Sequence, residues 1–398
     1  MLYAAFEKVD ITPFDLDRCY LAGFNPDRTA KGVLDKLWAR VLYLGDGKRQ
    51  LALVVCDLIG LPNRVVNEIR SRVPELSSDE VHIFCTHVHS GPDTIGLWGP
   101  AIAGVFPIAS GVDERYQEWL ISEIAYGIRR ATLHPARVQP LFAQAELVNE
   151  LDGKKIIDNV NEPGFFDKNI SVLVLKDGDG RYVATLCHLA VHPETLWKFN
   201  RLVSSDLFGP LRRELEAALE TNAMVFNGAL GGMVTSSLDE SMRLSDRYAW
   251  MELQGKALAD QFASLARAAK PVRIGTIGIK TKRLELPLEN ELFYFMANMG
   301  VLGKSGATGR SVLTEVVRIR LGPIEILGLP GEPLPAIGDA ARHLSEARYP
   351  LVFALANDEI GYILPSEYYD DPKYAYECSM SLGRGTAEAL LKALDELG

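Results

Sequence analysis

Apolar residues in this chain fall into two kinds of spacing. Short, nearly continuous runs rich in Val, Ile and Leu occupy 37–44, 51–58, 81–86, 170–175, 182–189, 224–227, 316–321, 324–329 and 351–356. Runs of that length and composition predict strands. Longer segments repeat apolar positions every three or four residues over 114–132, 207–220, 247–269, 336–346 and 380–397. That spacing gathers apolar side chains into one stripe and predicts helices that cover a sheet. Interleaving of the two patterns predicts an α/β fold, with mixed β-sheets flanked by helices in a layered sandwich. No fixed-period repeat and no Pro/Gly/Ser linker divides the chain, so residues 1–398 are expected to form a single domain. The glycine-rich stretch 298–310 reads as a mobile surface loop.

Composition narrows the function. With 398 residues, 47% of them hydrophobic, the chain can bury a large core. A formal net charge of −10 offers no basic surface for a phosphate backbone, which argues against a nucleic-acid partner. The opening residues carry acidic charge and lack a basic start followed by an apolar run, so a cytoplasmic protein is expected. No stretch approaches the roughly 18 uninterrupted apolar residues of a membrane helix. Five cysteines, Cys19, Cys56, Cys85, Cys187 and Cys378, are scattered and never in a CxxC pair, which disfavours disulfides and a thiolate zinc site.

Seven histidines are present, and four of them fall into two tight groups, Thr86-His87-Val88-His89-Ser90-Gly91-Pro92 and His188-Leu189-Ala190-Val191-His192-Pro193. Both groups lie at the ends of predicted strands. In extended chain, side chains at even offsets share a face, so His87 with His89, and His188 with His192, can point into one cavity. Neutral imidazole is the commonest metal ligand, and hydrolytic zinc takes about three protein ligands and leaves a position open. A lone HxH also reads as a hydrogen-bonded pair beside a turn.

Open α/β sheets gather ligand groups at the carboxyl ends of their strands, and a carboxylate partner belongs there. Glu332, in Pro330-Gly331-Glu332-Pro333, follows the run 324–329, although a glutamate at a helix start also interacts favourably with the helix dipole. Asp57, Asp206 and the pair Asp358-Glu359 compete with it. Beyond 224–227, Gly231-Gly232-Met233-Val234-Thr235-Ser236-Ser237 places small residues and then hydroxyls near the same sheet end, where they can act on a substrate or merely form a turn. Gly303-Lys304-Ser305 is not a phosphate loop, because the first glycine of that motif would fall at Asn298.

Taken together, these segments resemble the catalytic domain of the neutral/alkaline, non-lysosomal ceramidases, zinc amidases that release a fatty acid from an N-acyl sphingoid base. The resemblance runs from Val9-Asp10-Ile11-Thr12-Pro13 and the stretch 32–44 to Tyr376-Glu377, and its most specific element is THVHSGP, similar to the family's THTHSGP. It implies His87 as a metal ligand and His89 as a neighbouring active-site histidine. His192, followed by Asn200 and Val203-Ser204-Ser205-Asp206, resembles the second ligand, which favours it over His188. Pro330-Gly331-Glu332 is similar to the family's PGE and implies Glu332 as the carboxylate. Tyr362 and Tyr376 resemble the family's tyrosine pair, the first a metal ligand and the second a donor near the scissile carbonyl.

Two departures stand out. Where the family has GDVSP with its proposed nucleophilic serine, this chain has Gly232-Met233-Val234-Thr235-Ser236, which argues against a covalent route. No counterpart of the family's carbonyl-binding arginine is found in 148–169, nor of its C-terminal immunoglobulin-like domain. The resemblance therefore implies a short, intracellular relative that uses Zn²⁺ on His87, His192, Glu332 and Tyr362 to cleave a small-molecule or lipid-like N-acyl substrate. His89 would move the proton, Tyr376 would steady the oxyanion and Thr235 would orient water or substrate. Two rival readings remain. One is a metal-dependent esterase or hydrolase of a small sugar or amino-acid derivative, with Trp98, Trp197 and Phe199 forming a compact pocket. The other is a metal-bearing binding protein without turnover.

Overall fold

The computed structural model describes residues 1–302 and 307–398. Its larger sheet is built from β1 (Leu2–Asp10), β2 (Trp38–Gly45), β3 (Gln50–Cys56), β4 (Val81–Cys85), β5 (Ala136–Glu146), β6 (Asn169–Lys176), β7 (Tyr182–Leu189) and β8 (Ala223–Asn227). Across the sheet the order is β8-β7-β6-β5-β1-β2-β3-β4. Both outer pairs, β7 with β8 and β3 with β4, are parallel, while the strands between them are antiparallel. A second sheet runs β9 (Ile277–Pro287), β10 (Ser311–Leu321), β11 (Ile324–Gly328), β12 (Tyr349–Phe353), and its last pair is also parallel.

The near-continuous apolar strands follow from burial on both faces. In β2, Leu42 and Leu44 point between the two sheets, where they join Phe84, Phe226, Ile319, Ile326 and Phe353, while Ala39, Val41 and Tyr43 face the opposite way. That opposite face is covered over one half of the sheet by α1 (Asn63–Ser71) and α2 (Glu114–Ala131), through Val65, Ile69, Leu120 and Ile124. The other half is covered by α3 (Phe208–Leu219) and α4 (Leu244–Ala268), through Leu211, Leu215, Leu258 and Phe262. The second sheet is backed by α5 (Pro335–His343) and α6 (Thr386–Asp395). The layers are thus helix, sheet, sheet, helix, the mixed α/β sandwich that the patterning predicts.

The larger sheet curls until its edges meet. β8 packs against β3 and β4 although the strand order places β8 and β4 at opposite ends. Three phenylalanines fill the seam between the sheets: Phe84 meets Phe226 edge-on at 5.3 Å and Phe353 at 5.5 Å, and Phe226 stacks on Phe353 at 4.7 Å. Each buried ring of this kind contributes about 1.5–3 kcal/mol by area removed from water. Curling brings the carboxyl ends of all three parallel pairs to one place, and the chain leaves those ends at Thr86-His87, Ala190–His192 and Leu329–Glu332.

Several expected elements shift. The run 81–86 ends as a strand at Cys85, because His87 adopts a left-handed φ of +68°. The expected helix 380–397 forms only over Thr386–Asp395, with Gly383 and Gly385 just before it. Of the stretch 298–310, Val301 and Leu302 are buried rather than in solvent, and Gly303-Lys304-Ser305 lies outside the described residues. Four of the five cysteines are buried and Cys378 is half-buried, all with free thiols. Among the described residues, no helix is long and apolar enough to cross a membrane.

Candidate functional site

The loop after β4 turns sharply at His87 and is held by the His87 N–H donating to the Leu58 carbonyl at 2.9 Å. A non-glycine residue in that backbone region carries strain, and such strain collects at functional sites. The His87 ring is fixed by Nδ1–H donating to the Ile59 carbonyl at 2.7 Å. A carbonyl can only accept, so Nδ1 carries a proton and Nε2 is the ring nitrogen turned toward the cluster. His192 is arranged alike: Nδ1 faces the Val234 carbonyl at 3.3 Å. Both Nε2 atoms aim at one oxygen, Oε2 of Glu332, from 3.2 Å for His87 and 3.0 Å for His192.

His89 completes the cluster. Its ring lies edge-on to His87 at 5.0 Å and to His192 at 5.7 Å, and neither of its nitrogens has a hydrogen-bond partner. Glu194 Oε2 approaches His89 Nδ1 at 3.3 Å without hydrogen-bonding geometry. Gly23, at φ +96°, sits against the ring, and a Cβ there would lie 2.2 Å from His89 Cγ. Arg28 braces the same turn by donating to the carbonyls of Ala22 and His89.

The charges of the cluster are interdependent. Burial opposes an ionised Glu332, but His87 and His192 outweigh it and hold the carboxyl well below its ordinary range. Burial likewise disfavours a charged His192, yet the Glu332 hydrogen bond and nearby carboxylates raise its proton affinity. His89 has burial and two neighbouring imidazoles against it and is kept neutral.

This donor set fits a divalent cation. His87, His89 and His192 offer ring nitrogens within 4.8 Å of one another, and His87, Glu332 and Glu359 form an overlapping group. Outward-facing Nδ1–H groups tied to carbonyls are the usual outer support of ligating histidines. Two imidazoles plus a carboxylate, without thiolates, suit zinc. Tyr362 stands beside Glu332 in a two-residue parallel ladder, buried, with its ring edge-on to Tyr376 at 5.9 Å.

Of the other carboxylates at the sheet ends, Glu359 belongs to the cluster and Asp358 to the wall of the adjoining pocket, whereas Asp57 and Asp206 are engaged elsewhere. Asp57 is locked in a buried, two-pronged pair with Arg212 at 2.6 and 2.7 Å. Asp206 accepts the backbone N–H groups of Thr195, Leu196 and Leu207, which fixes the loop beyond His192. His188 points away from the cluster: its Nε2–H donates to the Val352 carbonyl at 2.9 Å and its ring stacks on Phe353. The even offset between His188 and His192 therefore does not put them on one face, because the strand ends at Leu189.

Two cavities flank the cluster. A pocket of about 910 Å³, open mouth included, has His87, His89, Glu332, Tyr362 and Tyr376 in its wall, and the rest of that wall is largely apolar, with Trp98, Phe293 and Leu302. A second cavity of about 1050 Å³ is more polar and is lined by Glu194, Trp197, Thr235 and Arg247. Thr235 is thus on the polar side, whereas the tyrosines are on the apolar side. Trp98 and Trp197 lie in different cavities and Phe199 is half-exposed, so the three do not form one compact pocket. Glu194 was not foreseen from the sequence; its signal is an acidic residue two positions after a histidine, inside an otherwise apolar loop.

No family model matches the chain. The neutral ceramidase of Pseudomonas aeruginosa is 23% identical over 215 residues, a match spanning 50% of this chain and 31% of that relative. The crystal structure of neutral ceramidase from Pseudomonas aeruginosa superposes with a TM-score of 0.79 at 18% identity, covering 100% of this chain and 74% of that one. A ceramidase complexed with C2 superposes at 0.77 with 17% identity and the same coverage. At these identities the superpositions show a shared fold.

Proposed function

We propose, from the premise that this chain is a homologue of the neutral ceramidases, that it forms one catalytic domain that cleaves the amide bond of N-acyl substrates with zinc. The observation that carries this reading is the convergence of His87 and His192 on one oxygen of Glu332 beside a largely apolar pocket. His87, His192, Glu332 and Tyr362 are the residues that would hold the ion. Zinc bound there supplies polarisation of a carbonyl and a lowered pKa for water, to about 7.

The chain's own residues do the rest. The apolar wall takes the acyl chain and excludes water. Tyr376 Oη donates a hydrogen bond to the oxygen that gains charge as the carbonyl is attacked. His89, buried and neutral, accepts a proton at a ring nitrogen and delivers it to the leaving amine, with Glu194 steadying the imidazolium. Thr235, next to Glu194 in the wall of the polar cavity, orients water or the polar end of the substrate.

N-acyl substrates of graded chain length test this reading. Each methylene buried in the apolar pocket is worth about 0.8 kcal/mol, so kcat/KM should rise up to about fourfold per carbon until the pocket is filled. A flat profile would remove the lipid-like substrate. The polar cavity around Trp197 and Arg247 supports the second reading, a small polar ester or amide, and such substrates belong in the same panel.

A further inference from the structure

Six arginines are buried among the described residues. Arg40, Arg70, Arg212 and Arg318 each pair with a carboxylate, on Glu216, Glu315, Asp57 and Glu325. Arg247 donates from all three of its nitrogens, to the carbonyls of Met242, Thr195 and Asp239. Arg28 differs from the other five. Only its Nη2 is bonded, to the carbonyls of Ala22 and His89, while Nε and Nη1 are buried without a partner. Among the described residues no carboxylate pairs with it, and the charged side chain that acts on it is Arg201, of the same sign. The guanidinium lies 5.0 Å from the Phe24 ring centroid, and the same ring meets His89 at 4.9 Å and Trp197 at 5.1 Å. Trp197 Nε1 is likewise unpartnered, as is Oε1 of Glu194, whose Oε2 lies 3.3 Å from His89 Nδ1. Single unpartnered atoms occur elsewhere, on Arg40, Trp250 and Asp358 among others, but here several gather round one ring beside an uncompensated cation. Trp197 is held there at a φ of +62°, a strained backbone for a bulky residue. Phe24 is half-buried, on the stretch 23–27 that forms neither helix nor strand.

Burying a cation without a counter-charge is costly, and buried donors left without a partner beside a reaction centre mark where an acceptor belongs. Two nitrogens of Arg28 and one of Trp197 call for an anion with more than one oxygen, and charge-assisted bonds of this kind are the strong ones. Glu194 Oε1 calls for a donor in the same place. A carboxylate one carbon away from an amide N–H supplies both. We infer that Arg28 and Trp197 form a subsite for a carboxylate carried by the leaving amine, uncovered when Phe24 turns aside, so that the substrates are N-acyl amino acids. The subsite rests on the hydrolase reading above, which places the leaving amine at His89, the residue whose main chain Arg28 holds. Water then adds across the C–N bond, the acyl carbon keeping the oxygen and the nitrogen gaining a proton. The amino acid released has its nitrogen toward Glu194 and its carboxylate toward Arg28.

N-octanoyl glycine and N-octanoyl glycinamide test it, because they match in size and differ in charge at one group. A carboxylate can also bind zinc, so binding of both compounds is measured by calorimetry on the metal-free protein, and their hydrolysis is measured separately on the zinc-loaded protein. The expected result is a preference of at least about tenfold for the glycine compound in binding to the metal-free protein. Arg28→Met should collapse that ratio to within about twofold. Trp197→Phe, which keeps the ring, removes the N–H and leaves the Arg28 bonds to the main chain in place, should lower the ratio at least about threefold. Equal binding of the two compounds by the wild type, or a ratio that survives either substitution in folded protein, overturns the subsite. Preferential binding without hydrolysis of either compound would support the subsite while removing the hydrolase reading; hydrolysis of both without a preference in binding does the reverse.

Discussion

The side-chain amide of Asn227 donates to the main-chain carbonyl of Thr86 at 3.0 Å, across the seam where the two edges of the curled sheet meet. The same amide donates to the Val191 carbonyl at 2.7 Å and accepts from the Val191 N–H at 3.0 Å. One buried side chain thus ties the loop that carries His87 to the loop that carries His192. Asn227→Leu leaves these backbone groups without partners and should cost about 2–4 kcal/mol in urea unfolding, with a parallel loss of zinc affinity. Unchanged stability and metal uptake would show that the seam is held by packing alone.

Gly23 has no room for a side chain against His89, and its φ of +96° disfavours any. Gly23→Ala should therefore displace His89, lowering kcat at least about a hundredfold while zinc content stays near wild type. If activity is retained, His89 is not the proton carrier.

Burial pushes the Asp358 carboxyl up to about 7, against the two N–H groups that favour its ionised form. Unfolded, it titrates near about 3.9, so the folded state holds an extra proton between about pH 4 and 7. The sign follows: this group's contribution is full at low pH and is lost as pH rises through that window. Asp358→Asn keeps the acceptor for both N–H groups and removes the titration. Metal-free wild type should lose stability relative to the variant between about pH 4.5 and 7.5, by an amount on the order of a few kcal/mol. Parallel pH profiles would refute the shift.

Thr235 lines the polar cavity, away from the tyrosine side of the cluster. Direct attack by water needs no acyl intermediate on this hydroxyl, so Thr235→Ala should cost less than about tenfold in kcat. Loss of about a thousandfold or more would make it the nucleophile.

The layered sandwich was legible because most of its strands are buried on both faces and so read as unbroken apolar runs. Strands exposed on one side were not. β9, with Lys280, Lys282 and Glu285 along it, carries too little apolar character to stand out, and β1 and β5 were missed for the same reason. The short helix α1 has too few turns to establish a period. At the site, the THVHSGP motif and the PGE segment pointed to residues that the fold does bring together. Spacing alone could not separate His188 from His192, since that depends on where β7 stops. Glu194 and Glu359 gain meaning only from the cavities they face, which arise when the sheet curls and sequence-distant loops meet.

Elemental analysis of zinc in untagged wild type and in the His87→Ala/His192→Ala double variant tests the central claim most directly. The account expects about one zinc per chain in the wild type and none in the variant, with both folded. A wild type that is metal-free as purified and fails to take up added zinc would contradict it.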